Sequence, residues 1–225
     1  MAYLRRAYWL AAKDLRLEWR NMEKLSSMLL FAVLLLVVLH MSFNFSRLGF
    51  HDIGVGVLWV CITFSGIVGL GHSFVLEREQ GCLQSLSLCS GDSSALYLGK
   101  VAANGVFILV VEAVVLPLSG FLFNFDLRPV LLPLVGVMLL YTVGFAALGT
   151  FIAAMSTATR RGEALLSILL FPFLLPVIMS SVSAAGLVVS GGALGDISAH
   201  LIVGACFDVI ILVGSLLLFP YVIEE

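Results

Sequence analysis

The sequence predicts an all-α integral membrane protein: six spanning helices preceded by an amphipathic helix in the membrane interface, forming a single transmembrane domain over residues 1–225. Three observations carry this expectation. Of 225 residues, 61% are hydrophobic and 12% charged, whereas a soluble domain carries about 25% charged residues. Six apolar segments are long enough to cross a hydrocarbon core about 30 Å thick, which takes roughly 20 helical residues. Lysine and arginine are also unequally shared between the two sets of loops, as expected of a multi-pass membrane protein.

Residues 1–24 are too charged to span. They hold Arg5, Arg6, Lys13, Arg16, Arg20 and Lys24 together with Asp14, Glu18 and Glu23. No short apolar run leads to a small-residue cleavage site, so no cleavable signal peptide is expected. Tyr3, Leu4, Ala7, Leu10, Ala11, Asp14, Leu15, Glu18 and Met22 recur near helical spacing, with Tyr8 and Trp9 at the edge of the apolar part. This spacing predicts a helix lying in the cytoplasmic interface.

The spans are expected at about 25–46, 53–76, 101–125, 129–157, 164–189 and 197–223. With the N-terminus inside, the inner side holds ten basic residues: six N-terminal ones plus Arg78, Lys100, Arg160 and Arg161. The outer side holds two, Arg47 and Arg128. Both termini are therefore expected in the cytoplasm, in a bacterial inner membrane. The last two spans are long enough to tilt or kink, and residues 186–199 are read as able to dip back into the membrane.

Residues 77–100 form the one long loop, on the cytoplasmic side. It starts acidic, with Glu77, Arg78 and Glu79, continues through Gly81 to an apolar edge of Leu83, Leu86 and Leu88, and ends in a turn and N-cap-rich stretch, Ser90 to Ser94. Such a segment, too short to cross, is suited to touching a partner at the membrane face. Cys61, Cys82, Cys89 and Cys206 form no CxxC pair, and neither disulfide nor zinc site is indicated. A net charge of −2 points to no nucleic-acid partner.

Catalytic and nucleotide motifs are missing: there is no glycine-rich phosphate loop ending in Lys-Ser or Lys-Thr, no HExxH and no GxSxG. The chain is not expected to be an enzyme, so any uphill transport must draw on a partner or an ion gradient. Glu112 and Asp208 fall inside spans, where an acid costs roughly 2.5–3.5 kcal/mol on insertion scales. Each is expected to face the bundle interior, either as a substrate-cavity or proton-linked group or as a hydrogen-bonded helix contact. His40, His51 and His200 fall near the outer face and are the candidate haem ligands; no spacing pairs them, and interfacial histidine is common. Gly66, Gly69 and Gly71, then Gly144, Gly149 and Ala153, then Ser180 with Ala184 and Ser181 with Ala185, permit close helix approach. Pro172 and Pro176 are hinge candidates, because each removes a backbone donor.

Three stretches carry a family resemblance. Leu76-Glu77-Arg78-Glu79, Gly81-Cys82-Leu83-Gln84-Ser85-Leu86 and Gly99-Lys100-Val101 form the first. Thr142-Val143-Gly144-Phe145 with Leu148-Gly149 forms the second. Arg160-Arg161-Gly162 followed by Leu165-Leu166-Ser167-Ile168-Leu169-Leu170-Phe171-Pro172 and Pro176 forms the third. With the span order, these resemble the permease subunits of ABC-2 type exporters, and among them the CcmB (haem exporter protein B) family of cytochrome c maturation. The chain departs from that pattern at Leu88-Cys89-Ser90-Gly91-Asp92, where the family often carries prolines, and in the tighter spacing of Glu77 and Glu79.

The resemblance implies an ABC-2 permease fold and a partner ATPase, CcmA-like, that binds ATP and magnesium. It also implies CcmC-like and CcmD-like membrane subunits, a CcmE-like haem chaperone and a second copy of this chain. The implied role is coupling ATP hydrolysis to haem export or to release of the loaded chaperone. Glu77, Arg78, Glu79, Gly81, Leu83, Leu86 and Leu88 would be the ATPase-coupling residues. The alternatives are an ABC-2 permease for a lipid, glycan or drug, and a secondary transporter without an ATPase.

Overall fold

Seven α-helices and no strand occur among the described residues, 2–42, 53–79, 93–157 and 162–223 of this computed structural model. They are α1 (Ala2–Asn21), α2 (Glu23–Ser42), α3 (Val55–Glu79), α4 (Ser93–Leu122), α5 (Leu131–Thr157), α6 (Gly162–Ser190) and α7 (Leu194–Ile223). Helices α2, α4, α5, α6 and α7 are long and apolar enough to cross a membrane. The described apolar part of α3, Val55–Gly71, is shorter, while the helix itself runs on to Glu79. Helix α4 begins at Ser93, so residues 93–100 of the expected cytoplasmic segment are continuous with the span that follows.

The spanning helices alternate in direction. At one end of the bundle Lys24 of α2 meets Asn104 of α4, and Asn104 meets Thr150 of α5. Tyr97, near the start of α4, stacks on Phe219, near the end of α7. At the other end His40 of α2 packs edge-on against Phe123, just beyond α4. Helix α1 lies across the first end, against α4 and α2.

Short turns reverse the chain. Met22 (φ 54°) bends α1 into α2. After α4, Asn124 (φ 52°) takes the left-handed position, with Phe125 N–H donating to Gly120 O at 2.9 Å; asparagine tolerates that conformation better than most residues. After α6, Gly191 (φ 72°) does the same, with Gly192 N–H to Leu187 O at 2.7 Å and Gly191 N–H to Val188 O at 3.3 Å. This pair of bonds satisfies carbonyls that a helix end otherwise orphans. Residues 186–199 are therefore two helix ends joined by a tight turn.

Helix α5 is the hub, packed against α3, α4, α6 and α7. Of its apolar stretch 56% is buried inside the bundle, against 22% for those of α2 and α7, so α5 is the most enclosed of the five long apolar helices. Tyr141 and Phe145 fill its core, with Trp59 of α3 edge-on to Tyr141 at 4.5 Å. Glycines let neighbours in: a Cβ at Gly66 would meet the Phe145 ring, one at Gly69 the Met28 thioether, and one at Gly149 the Leu70 side chain. A Cβ at Gly71 would meet nothing within 4 Å among the described residues, so of the expected approach sites on α3 it is the one with open space beside it.

That contrast is testable. Gly66→Val should destabilise the detergent-solubilised protein by about 1–3 kcal/mol, the usual cost of overpacking, whereas Gly71→Val should be near neutral. Thermal unfolding of the two variants side by side checks this; equal losses would contradict the packing described.

Candidate functional site

Two polar tiers cross the bundle. The first lies under α1. Ala7 and Ala11 are buried, and Gly99 of α4 packs directly against Leu10 and the backbone of Ala7 and Ala11. Asp14 and Glu18, four residues apart on one helix face, follow the same line. Asp14 Oδ2 reaches Lys100 Nζ at 3.6 Å, and Glu18 Oε1 reaches Lys24 Nζ at 3.4 Å. Both lysines are buried, Lys24 6% and Lys100 3% exposed. Lys24 Nζ also donates to Asn104 Oδ1 at 2.8 Å and sits 4.7 Å from the centre of the Phe107 ring. Asn104 Nδ2 donates to Thr150 Oγ1 at 2.9 Å. One chain of contacts thus joins α1, α2, α4 and α5. A buried charge is tolerated only when paired and hydrogen-bonded, and α1 supplies the paired charges.

The second tier is at mid-span. Glu112 and Asp208 are each 4% exposed, so both acids face inward as the sequence led one to expect. Thr142 Oγ1 lies 2.8 Å from Glu112 Oε1 and 2.9 Å from Met138 O. At the neighbouring residue, Tyr141 and Thr63 share a hydroxyl hydrogen bond of 2.7 Å that ties α5 to α3. Asp208 differs from Glu112. It lies against Gly144 of α5 so closely that a Cβ there would collide with Oδ1, and neither of its oxygens has a hydrogen-bond partner among the described residues. Val177 of α6 borders the same point.

The other sequence-derived candidates are scattered. Glu77, Arg78 and Glu79 form the last turn of the α3 backbone. Gly81, Leu83, Leu86 and Leu88 lie outside the described residues, as does His51. His40 stands near the end of α2, and His200 near the start of α7, where its carbonyl accepts a 2.5 Å bond from Ser180 Oγ. Among the described residues no three His, Cys, Asp or Glu side chains cluster as a metal site. Pro172 and Pro176 sit on the exposed side of an unbroken α6. The lysine tier was missed by sequence reasoning, which counted Lys24 and Lys100 only as loop charges. The available signal was Asp14 and Glu18, aligned with Ala7 and Ala11 at helical spacing.

A family model described as "CcmB protein" matches residues 5–224, which takes in both tiers. Curated relatives named "Heme exporter protein B" are similar to the chain. The one from Pseudomonas aeruginosa is 26% identical over 172 residues, 76% of this chain and 76% of its own length. The one from Paracoccus denitrificans is 33% identical over 136 residues, 59% and 60% respectively. The one from Haemophilus influenzae is 25% identical over 196 residues, 86% and 88%.

The Asp208–Gly144 contact sets a double-mutant cycle. Gly144→Ala should destabilise the wild-type background, and Asp208→Ala should relieve most of that cost. The coupling should be of the order of 1–3 kcal/mol, as for residues in direct contact. Unfolding in mixed micelles measures it; additive losses would mean that the two positions do not touch.

Proposed function

The chain belongs to the CcmB family, and on that premise we propose that it is the permease subunit of an ABC-type assembly for cytochrome c maturation. The observation that carries the reading is the family match over residues 5–224, on a bundle of long apolar helices. Its relatives are named as haem exporters, and haem is the cargo of this proposal. In this reading the bundle sits in the bacterial inner membrane with both termini cytoplasmic, an orientation that the bias of basic residues supports. ATP and magnesium belong to a CcmA-like partner ATPase. CcmC-like and CcmD-like subunits, a CcmE-like chaperone and a second copy of the chain complete the assembly. His40, His51 and His200 are the side chains that would meet haem iron on the outer side.

In this reading the segment from Glu77 to Leu88 docks on the ATPase. Glu77 and Glu79 pair with basic residues there, and Leu83 and Leu86 bury in its groove. Closure of the ATPase then pushes the end of α3 and the start of α4. The arrangement of α4 supports a path onward, because Lys100 and Asn104 belong to the tier that joins α1, α2 and α5. A displaced α4 carries Glu112 against Thr142, so the push arrives at the hub helix. The relative movement of α6 is taken up at Pro172 and Pro176. Glu112 and Asp208 then act as contacts of α5 with its neighbours, whose rearrangement changes the packing between subunits.

Affinity purification of the detergent-solubilised chain from its native membrane should recover a P-loop ATPase together with haem-handling subunits. Their absence would overturn the reading. Glu77→Lys with Glu79→Lys should leave membrane insertion intact and reduce stimulation of the partner ATPase by about tenfold or more, because opposed like charges at an interface cost several kcal/mol. Normal stimulation would place the joint elsewhere.

A further inference from the structure

The outward side of α1 carries a pattern that the bundle does not use. Asp14 and Glu18 are turned toward Lys100 and Lys24, so the exposed charges of α1 are all basic: Arg5, Arg6, Lys13, Arg16 and Arg20. At about 100° per residue, Arg5, Trp9, Arg16 and Arg20 form one ridge opposite Ala7, Ala11 and Glu18. Beside the ridge runs an uncharged stripe, Tyr8, Ala12 and Trp19, at the spacing of a single helix face, with Leu15 at its inner edge packed against the core. Tyr8 is 68%, Trp9 60% and Trp19 58% exposed. This is a different stripe from the one through Ala7 and Ala11, which the sequence suggested would meet lipid and which instead meets α4.

The depth of α1 is fixed by its contacts. It is held at Lys24 and Lys100, and each lysine is followed directly by the apolar run of its span, from Leu25 and from Val101. Helix α1 therefore lies level with the boundary where two spans enter the hydrocarbon. Aromatic rings with a polar edge favour that level, and arginine there extends its charge toward headgroups.

We propose that this side of α1 is a binding surface for anionic lipid headgroups. Tyr8, Trp9 and Trp19 seat in the acyl–headgroup boundary, and Arg5, Arg16 and Arg20 hold the headgroup charges beside them. Occupancy by lipid follows from charge complementarity and from depth: the surface has one sign of charge, is rich in aromatics and sits at the interface. It does not depend on the cargo or on the ATPase joint.

The three tryptophans of the chain report on it directly, since Trp9 and Trp19 are exposed and Trp59 is 1% exposed. The full-length protein is placed in phosphatidylcholine nanodiscs containing a minor fraction of either bromine-labelled phosphatidylglycerol or bromine-labelled phosphatidylcholine, at equal mole fraction. Tryptophan quenching should be about twofold or more stronger with the anionic label, and added salt should shrink the difference, as for any attraction between exposed charges. Arg5→Gln with Arg16→Gln and Arg20→Gln, which leaves the inward pairs untouched, should equalise the two lipids while quenching persists. Trp9→Phe with Trp19→Phe should remove most quenching. Equal quenching of the wild-type protein by both lipids would overturn the preference for anionic headgroups. No quenching by either would overturn lipid as the occupant and leave the face to water or to a protein partner.

Discussion

Inside a bilayer no water is available to a hydroxyl, amide or acid, so each must find its partner within the bundle. Helix α5 is where this chain meets that constraint. Tyr141 bonds Thr63 of α3, Thr142 bonds Glu112 of α4, Thr150 accepts from Asn104 of α4, and the carbonyl of Ala147 accepts from Tyr97 at 2.9 Å. Each intramembrane hydrogen bond contributes only about 0.6–2 kcal/mol. Leaving such a group unpaired costs more than making the bond gains. The polar groups therefore act less as glue than as a register, fixing which face of α5 each neighbour must take. The glycines complete it, because Gly149 admits Leu70 on one side while Gly144 admits Asp208 on another.

The two mid-span acids solve the same problem unequally. Glu112 is met by a threonine hydroxyl, whereas Asp208 is met by the bare backbone face of Gly144 and has no hydrogen-bond partner among the described residues. The seam between α4 and α5 is thus held by directional bonds at several depths. At the depth of Asp208, the seam between α5 and α7 is held by close packing, which is less particular about rotation and sliding. Between α6 and α7, Ser180 and the His200 carbonyl restore a directional tie near the opposite end of the bundle.

Much of this was legible in the sequence, and the parts that were not share a cause. Hydropathy located the helices, and the rarity of acids in spans placed Glu112 and Asp208 inside. Glycine spacing marked Gly66, Gly69, Gly144 and Gly149 as approach points. The third span was expected only from Val101, but the N-cap-rich stretch from Ser90 to Ser94 marked the earlier start of the helix, which begins at Ser93. For α1 the difficulty was different. Periodicity reveals that a stripe exists, but α1 has two, and only the tertiary partners of Asp14 and Glu18 decide which one meets protein. Lys24 and Lys100 were counted only as loop charges and so misread for environment, because a loop-charge count is indifferent to whether the charge is solvated. Residues 80–88, with the expected docking leucines, lie outside the described structure.

Those two lysines connect topology to mechanics. A basic residue at the start of a span ordinarily orients the helix and then rests in water or among headgroups. Here each is covered by α1 and paired with an acid from it, so α2 and α4 cannot draw apart at this end without leaving a buried charge unpaired, a loss of about 3–5 kcal/mol. The same pairing holds α4 close to Asn104's partner Thr150 on α5. Helices α1, α2, α4 and α5 consequently share one polar joint at the end where α3 finishes and α4 begins. Any displacement of one of these helices at that end therefore disturbs the ion pairs and hydrogen bonds of the others.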